Sequence, residues 1–578
     1  MTPKERYLLA MDRSPHSASA AKYADDVIEG MIPACVSHKN ACARHVDDLA
    51  ESLANDKYPW YFDPLAGEKA CRFIELLPHT KGEWAARKEK LKLQPWQKFI
   101  VTSIFGWKKK ADKSRRFNEA YIIVPRKNAK STLAAAIGVY MATADGDYGA
   151  EVYCGATTER QAREVFTPMR LMVNNSPQLK ELYELQVNRD DIVSRKDNSR
   201  ISPLVGNPGD GQSPSCAIVD EYHEHATSRL YETMKTGMGA RRQPLLLVIT
   251  TAGSNMGSPC YDMHLHAVQV LNGAAEDDNL FCIIFGLDKG DDWADPSILA
   301  KANPNIGVSV FEAFLINAQA AAVQQSSKQN IFRTKHCDEW VGAKEAWMNM
   351  SKWAACPPRD SLADLRGRKC FMGLDLASQK DIAAVVLLFP PDDTGGVWHL
   401  HSRHYLPKRV IDSRDTTNIT SYETWVNSGH IILTDGRQGG IDFETIMQDI
   451  REDGREFDID AIGYDPYNAT LLAQTLTDEG LNMVEVRQNT GTLSEPMKHL
   501  EAMVLSGEIA HGDDPAMTWM MSNVVHTVDA NDNIYPRKER MENKIDGPIA
   551  AIIAVSLCMR HVVLSTTSVY ESQGVTCF

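Results

Sequence analysis

Between residue 121 and about residue 290, short apolar runs alternate with stretches in which apolar residues recur every three or four positions. Continuous apolar runs are typical of buried strands, and the wider spacing is typical of helices. The alternation predicts an α/β domain with a parallel sheet and helices on both sides, whose ligand loops lie at the carboxyl ends of the strands. The predicted elements are the strands Tyr121–Val124, Ala150–Ala156, Cys216–Glu221 and Pro244–Gly253, and the helix Thr158–Val173.

The pattern changes on both sides of this region. Before residue 65, helical spacing at Ala20–Glu29 and Ala41–Leu53 predicts a short helical N-terminal region. After residue 290, an Ala- and Gln-rich helix at Phe311–Gln329 is followed by a Trp-rich passage, and Pro357-Pro358 indicates a domain boundary.

A second set of strands follows residue 370, and several of them contain or end at an aspartate. The predicted elements are the strands Cys370–Ala377, Ile382–Phe389, Val397–His401 and Ile459–Pro466, and the helix Ile549–Met559. The pattern divides the chain into residues 1–65, a first α/β domain at 66–355, a linker at 356–370, a second domain at 371–565 and a tail at 566–578.

Charge changes this picture only locally. The formal net charge of −14 argues against a protein that coats nucleic acid, because such a protein would be basic overall. Six Lys or Arg nevertheless fall within Lys108–Arg116, and Arg537, Lys538, Arg540 and Lys544 form a second cluster. Such runs are often solvated faces, so they support a nucleic-acid partner without establishing one.

The cysteines and the apolar runs indicate a soluble intracellular protein. Twelve Cys are spread along the chain without a paired framework, as expected of reduced thiols. Cys35 and Cys42, with His38 and His45 between and after them, lack the spacing of a structural zinc site, which favours ordinary packing. The run Ile549–Leu564 is too short to span a bilayer, and the first residues lack a secretory signal.

A candidate phosphate loop follows the first strand of the α/β domain. Pro125–Ser131 connects that strand to the helical pattern that begins near Leu133, a layout in which loop amides and a helix N-terminus face an anion. Lys130 would reach the β- and γ-phosphates, and the Ser131 hydroxyl would bind Mg²⁺. Val124 and Ala129 stand where the consensus has glycine.

Further along the sheet, polar groups end two other strands. Asp220 could hold Mg²⁺ through water, and Glu221 could orient or deprotonate the attacking water. Thr250, Thr251, Ala252 and Gly253 form a polar strand end that could sense the γ-phosphate. Together with Lys130 these residues predict nucleotide hydrolysis.

Two features of this site stay open in the sequence. Gln97, in Leu93-Gln94-Pro95-Trp96-Gln97, could read the edge of an adenine ring or could belong to a capped helix with a buried Trp. Arg241, Arg242 and Arg229 are all candidates for a charge-neutralising finger.

Three aspartates predict a second site in the other domain. Asp375 and Asp465 follow apolar strands, and Asp546 starts a helix. Carboxylate oxygens suit hard cations, and a pair of Mg²⁺ ions can hold the attacking water and the leaving oxygen of a phosphodiester. Asp381 could supply a further ligand. The alternatives are a helix cap at Asp546 and a turn at Asp465.

The motifs resemble those of the large terminase subunit of tailed bacteriophages, in particular the family with cohesive ends and HK97-like capsids. The matching segments are Leu93–Gln97, Pro125–Ser131, Val219–Glu221, Thr250–Gly253, Gly373–Ala377 and Asp546-Gly547. The resemblance implies a P-loop ATPase motor at residues 66–355 and a ribonuclease H-like mixed-sheet nuclease at residues 371–565. Members of the family usually have glycine where Ala129 stands.

The resemblance also implies roles for the matching residues. The implied ATP-binding residues are Gln97, Arg126, Lys127, Asn128, Ala129, Lys130, Ser131, Thr132 and Asp220. Glu221 would be catalytic, and Thr250 to Gly253 would couple hydrolysis to motion. The nuclease would use Asp375, Asp465 and Asp546, with Asp381 as an additional ligand. The implied cofactors are ATP with Mg²⁺ and two Mg²⁺ or Mn²⁺ ions in the nuclease site.

The implied function is a viral packaging motor that drives double-stranded DNA into a procapsid and cuts the concatemer. Its partners would be the small terminase subunit and the portal protein, on which it would form a homo-oligomeric ring, in the host cytoplasm and without a membrane. Two alternatives remain: an ATP-driven helicase or translocase without nuclease activity, and a ribonuclease H-like integrase or resolvase.

Overall fold

The computed structural model describes residues 3–205, 211–341, 347–377, 381–391, 396–413, 418–436, 439–529, 532–539 and 542–565. The chain forms two compact units, residues 1–340 and residues 341–578. Arg540 and the predicted tail at 566–578 lie outside the described residues. No helix among the described residues is long and apolar enough to cross a membrane.

The first unit is built on an eight-stranded sheet in the order β10-β3-β9-β8-β4-β7-β6-β5. Its strands, with the separate pair β1 and β2, are β1 Trp60–Phe62, β2 Trp107–Lys109, β3 Glu119–Ile123, β4 Glu151–Ala156, β5 Leu185–Val187, β6 Ile192–Ser194, β7 Arg200–Val205, β8 Cys216–Asp220, β9 Leu245–Thr250 and β10 Leu280–Ile284. The strands from β10 to β7 are parallel, as predicted, whereas β6 and β5 add an antiparallel edge. Strand β9 lies between β3 and β8, so three loops meet at one edge.

Helices cover this sheet and extend its core toward the N-terminus. They are α1 Pro3–Met11, α2 Pro15–Ile28, α3 Val36–Ala54, α4 Pro64–Leu76, α5 Gly82–Ala86, α6 Pro95–Gly106, α7 Lys130–Thr143, α8 Glu159–Asn174, α9 Pro177–Leu182, α10 Arg229–Gly237, α11 Pro259–Leu271, α12 Leu299–Ala302, α13 Glu312–Gln324 and α14 Ser326–His336. Helices α2 and α4 pack on α6, and their buried side chains join the core of the sheet. The helical N-terminal region is therefore part of the first unit.

Local contacts in this unit differ from two interpretations of the sequence. The predicted helix Phe311–Gln329 is two helices, because Gln325 has an extended backbone between α13 and α14. In the first basic cluster, Arg115 is buried against Asp145, and buried Arg116 pairs with Asp48. Two of the six cations thus stabilise the fold and cannot meet nucleic acid.

The second unit has a mixed sheet in the order β14-β13-β12-β11-β15-β16, with β17 paired to β13. The strands are β11 Lys369–Asp375, β12 Ala383–Phe389, β13 Trp398–Pro407, β14 Ile432–Thr434, β15 Asp458–Tyr464, β16 Met483–Glu485, β17 Ile509–Ala510 and the hairpin β18 Val524–Val528 and β19 Ile534–Lys538. The helices are α15 Met350–Ala354, α16 Lys408–Ser413, α17 Ile419–Asn427, α18 Phe443–Glu456, α19 Pro466–Asp478, α20 Thr490–Ser506, α21 Pro515–Asn523 and α22 Asp546–Ser565. Antiparallel β11–β13 with parallel β15 and β16 form the ribonuclease H-like arrangement.

Glycine at the centre of β11 determines how the last helix lies on this sheet. A Cβ atom built on Gly373 would stand 1.9 Å from the carbonyl oxygen of Ala550 in α22. A Cβ atom on Gly463 in β15 would stand 2.6 Å from Ile553 Cγ2. The backbone of α22 can approach the sheet this closely because these positions carry no side chain.

The two units divide before the predicted linker. The boundary between the two compact units falls between Trp340 and Val341, ahead of the predicted domain end at residue 355. The cause is apolar burial: Trp347 and Trp353 belong to the core of the second unit, packed with residues of α20, α21 and α22.

Candidate functional sites

The predicted phosphate loop connects β3 to α7 and is held in shape by an asparagine. Lys127 and Ala129 have left-handed backbones, with φ of 72° and 59°, and α7 begins at Lys130. Asn128 is fully buried, and its Nδ2 donates to the carbonyl of Pro125 at 3.1 Å. The same amide bonds Asn303 at 3.0 Å and accepts from the backbone of Asn305 at 3.0 Å. The Asn128 side chain therefore fixes the loop and leaves phosphate contacts to the amides and to Lys130.

The loop and the strand end of β8 meet in two side-chain contacts. Lys130 Nζ lies 3.0 Å from Glu221 Oε1, and both groups are mostly buried. Ser131 Oγ donates to Asp220 Oδ2 at 3.4 Å, and the backbone of Glu221 donates to Asp220 Oδ1 at 3.0 Å. The structure thus brings together the cation, the hydroxyl and both acids that the sequence selected.

The pKa values of the two neighbouring acids are shifted in opposite directions. Burial, together with the adjacent Glu221, raises the pKa of Asp220 to about 6. Burial also acts to raise the pKa of Glu221, but Lys130 and His223 outweigh it, so the pKa of Glu221 is lowered. Glu221 is therefore ionised at neutral pH, as a general base must be, and it stays ionised at a lower pH than Asp220 does.

These groups line a cavity of about 1220 Å³ that also includes Arg126, Lys127, Ala129 and Thr132. A neighbouring cavity of about 200 Å³ is bordered by Gln97, Ala129, Thr132 and the ring of Trp84. Gln97 Oε1 accepts from the backbone of Gln94 at 2.9 Å, which is the capped-helix arrangement. Gln97 therefore caps its helix and also lies beside the phosphate loop, so both interpretations of the sequence are compatible with its position.

The strand end of β9 is buried and bonded to residues that the sequence did not indicate. Thr250 and Thr251 are fully buried, and Thr250 Oγ1 donates to the Thr251 carbonyl at 2.9 Å. The backbone of Ala252 donates to Asp338 Oδ1 at 3.0 Å. Burial raises the pKa of Asp338 well above its ordinary value. Asp338 follows Lys335-His336-Cys337, which is not part of any motif, so there was no reason in the sequence to select it.

The candidate finger arginines are in different surroundings. Arg241 pairs with Asp147 at 3.2 Å and Glu151 at 3.5 Å, which ties it to the first unit's own fold. Arg242 donates to the Asp112 carbonyl, and Arg229 is exposed at the start of α10.

Ala129 offers a direct test of the loop conformation. An L-residue in the left-handed region costs about 1–2 kcal/mol, which glycine avoids, although glycine also adds entropy to the unfolded chain. We expect Ala129→Gly to raise the free energy of unfolding by up to about 1 kcal/mol, measured by denaturant titration of the full chain. Ala135→Gly is the control, because Ala135 lies inside α7 and glycine there should cost about 1 kcal/mol or more. A loss of stability in Ala129→Gly would contradict the left-handed assignment.

The predicted nuclease acids lie at the same end of the second unit's sheet. Asp375 ends β11, Asp465 caps α19 and Asp546 begins α22. Gln488 connects two of them: its Nε2 donates to Asp375 Oδ1 at 3.0 Å, and its backbone N–H donates to Asp465 Oδ2 at 3.0 Å. Asp381 forms an ion pair with Lys544. Gln488 was missed in the sequence because it belongs to a loop distant along the chain from the predicted nuclease aspartates.

The carboxylates repel one another. Burial first, and then Asp546, raise the pKa of Asp375 well above its ordinary value, with smaller effects from Asp465 and Asp381. Burial and Asp381 raise the pKa of Asp546 to about 6, against the opposing effect of Lys544. Among the described residues, no three His, Cys, Asp or Glu side chains come close enough together to coordinate one ion as they stand. The donor set is nevertheless all oxygen and crowded with like charge, which fits a hard divalent cation.

Comparisons with known proteins cover most of the chain. The model of the family described as terminase large subunit, ATPase domain, matches residues 95–268, and that described as terminase large subunit, endonuclease domain, matches residues 274–561. The chain is 41% identical over 378 residues to protein YmfN of Escherichia coli (strain K12), which covers 64% of this chain and 82% of that protein. It is 25% identical over 500 residues to the terminase large subunit of Enterobacteria phage HK97, covering 85% of this chain and 95% of that protein. The crystal structure of the HK97 bacteriophage large terminase aligns with a TM-score of 0.42 at 24% identity, over 85% of this chain and 99% of that chain.

Proposed function

This chain belongs to the terminase large subunit family, the ATP-hydrolysing and DNA-cutting motors of viral DNA packaging, and on that premise we propose which residues perform each reaction. The motor is assigned to the first compact unit, residues 1–340, and the nuclease to the second, residues 341–578. Neither the helicase nor the integrase alternative has an observation in its favour.

In the motor, Lys130 and Arg126 bind the phosphates, and Ser131 with Asp220 holds the magnesium of ATP. Gln97, Lys127, Asn128, Ala129 and Thr132 shape the rest of the nucleotide site. Glu221 orients and deprotonates the attacking water, because it faces Lys130 while Asp220 is bonded to Ser131 on the metal side. The observation that carries this proposal is the 3.0 Å contact between Lys130 and Glu221 in the wall of one cavity. Thr250 to Gly253 couple hydrolysis to motion.

In the nuclease, Asp375, Asp465 and Asp546 hold two Mg²⁺ or Mn²⁺ ions, with Asp381 as an additional ligand. Bound divalent cations supply Lewis acidity at the phosphodiester. The negative charges of Asp546, Asp465 and Asp381 all act to raise the pKa of Asp375, which supports Asp375 as a member of the same set of metal ligands. Gln488 positions Asp375 and Asp465 through its side chain and its backbone.

The substrate is double-stranded DNA of a concatemer. The motor works as a homo-oligomeric ring on the portal of a procapsid in the host cytoplasm, and the small terminase subunit selects the cutting site. Cutting by metal-bound carboxylates requires no reading of bases, so a partner has to supply the site preference. Arg537 and Lys538, both exposed on β19, support a backbone contact beside the nuclease acids.

One preparation tests both activities. We expect the wild-type chain to hydrolyse ATP and to nick plasmid DNA with Mg²⁺ or Mn²⁺. Lys130→Ala should abolish hydrolysis and keep nicking, because its side chain belongs to the first unit alone. Asp375→Ala should abolish nicking and keep hydrolysis. A wild-type chain that never cuts DNA with any divalent metal would favour a translocase without nuclease activity.

A further inference from the structure

A buried histidine connects the ATPase acid to the strand end of β9. His223 follows β8, and its ring is enclosed by the first unit's core. Its Nδ1 lies 2.9 Å from Thr250 Oγ1 and 3.3 Å from Glu221 Oε2. The other ring nitrogen, Nε2, lies 3.0 Å from Lys335 Nζ at the end of α14.

The hydrogen bonds determine which ring nitrogen carries the proton. Thr250 Oγ1 gives its own proton to the Thr251 carbonyl, so it can only accept from its other neighbours. The backbone N–H and the Nδ1 of His223 both point at this oxygen, at 3.2 Å and 2.9 Å. The proton of a neutral ring is therefore on Nδ1, and Nε2 is an acceptor.

Lys335 supplies the hydrogen-bond donor that an unprotonated Nε2 of His223 requires. Burial lowers the pKa of His223, so the ring is neutral at neutral pH. Burial lowers the pKa of Lys335 to about 8, which still leaves it mainly protonated and able to donate to Nε2. Glu224 Oε1 lies 3.2 Å from the same Nε2, and its negative charge acts to raise the pKa of Lys335 against burial. The backbone of Lys335 also accepts from Arg126 of the phosphate loop at 3.0 Å.

We propose that His223 is a positioning residue that joins Glu221 to Thr250 through its Nδ1–H, while Lys335 fixes the tautomer through Nε2. The inference rests on the proposed ATPase function and adds to it a hydrogen-bonded connection between Glu221 and the end of β9. Glu221 is paired with Lys130 in this structure. When Lys130 binds the phosphates of ATP, Glu221 loses its ion pair with Lys130, and the Nδ1–H of His223 donates to Glu221. The hydrogen bond from Nδ1–H to Thr250 Oγ1 is then lost. The occupancy of the nucleotide site thereby changes the bonding of β9.

Steady-state ATP hydrolysis by the full chain tests this connection. His223→Ala should lower kcat about tenfold or more and change KM by less than about twofold, since His223 does not line the nucleotide cavity. His223→Asn should recover most of kcat, because an Asn amide can donate from the position of Nδ1. The control is His264→Asn, whose ring packs against Tyr261 and Trp340 in the same unit and should keep kcat.

A double-mutant cycle separates a connection from general loosening of the site. Thr250→Val should reduce kcat about as much as His223→Ala, and the double variant should be no worse than either single variant. Should His223→Ala fail to fold, Thr250→Val and Lys335→Met provide the same test, each lowering kcat.

Three results would overturn the proposal: kcat of His223→Ala or Thr250→Val within about twofold of wild type, His223→Asn as impaired as His223→Ala, or losses that multiply in the double variant. A wild-type chain without ATP turnover would remove the proposed function together with this inference. Turnover that is lost in Lys130→Ala but survives in His223→Ala would overturn the inference alone.

Discussion

Replacing Glu221 with Gln is expected to slow ATP hydrolysis by a factor of about 10² to 10⁴, the range found when a general base is removed. Gln keeps the size of the side chain but cannot take a proton from water. It also releases Lys130 from its 3.0 Å ion pair, so nucleotide affinity should be unchanged or higher. Single-turnover hydrolysis and the binding of a fluorescent ATP analogue measure the two effects separately.

Glu232→Gln is the matched control for this variant. Glu232 lies on the exposed face of α10 in the same unit, so its replacement removes one negative charge without touching the cavity. Its turnover should equal that of the wild type. If Glu221→Gln also retained turnover within a few fold, Glu221 could not be the general base, and this role would pass to another group in the cavity.

Replacing Gly373 with Ala is expected to abolish DNA cutting and to destabilise the second unit by about 3 kcal/mol or more, at or above the usual cost of overpacking. The added methyl group would stand 1.9 Å from the Ala550 carbonyl, and backbone cannot turn aside as a side chain can. Helix α22 has to move, and Asp546 at its first turn moves with it, away from Asp375. Denaturant titration and plasmid nicking measure the two losses, and ATP turnover by the first unit should persist.

Gly454→Ala shows whether the effect is specific to this contact. Gly454 lies in α18 of the same unit, and a Cβ atom there would stand 3.6 Å from Leu481 Cδ2, an ordinary distance. Alanine is also the better helix former, so this variant should keep or gain stability and cut DNA normally. Normal nicking by Gly373→Ala would mean that Asp546 need not lie close to Asp375.

The main strands and the side chains placed at their ends were largely predictable, because the signals were local. Lys130, Glu221 and Asp375 each follow a continuous apolar run, and parallel strands bring such ends to one edge. The strand order that puts β9 between β3 and β8 did not follow from any run, although it decides which loops touch. The antiparallel edge at β5 and β6 was missed because its strands have three residues each, too few to give a periodic signal.

The supporting residues could not be predicted, for a different reason. His223, Lys335, Asp338 and Gln488 act through contacts between distant parts of the chain, and none has a motif. The opposite error occurred with Arg115, a residue of the first basic cluster. Its charge suggested a surface for DNA, yet the guanidinium is fully buried and bonded to Asp145. The prediction failed because a run of cations in a sequence carries no information on burial.

The anchoring of the phosphate loop also determines how nucleotide can be exchanged. Asn128 is bonded to Asn303 and Asn305, and Ser309 donates to the Lys127 carbonyl at 2.6 Å. The segment from residue 303 to residue 309 is therefore held to the phosphate loop and cannot move away from it to open the cavity. The rate of ADP release should therefore depend on how easily the rest of the cavity rim yields, which includes short helix α5 with Trp84.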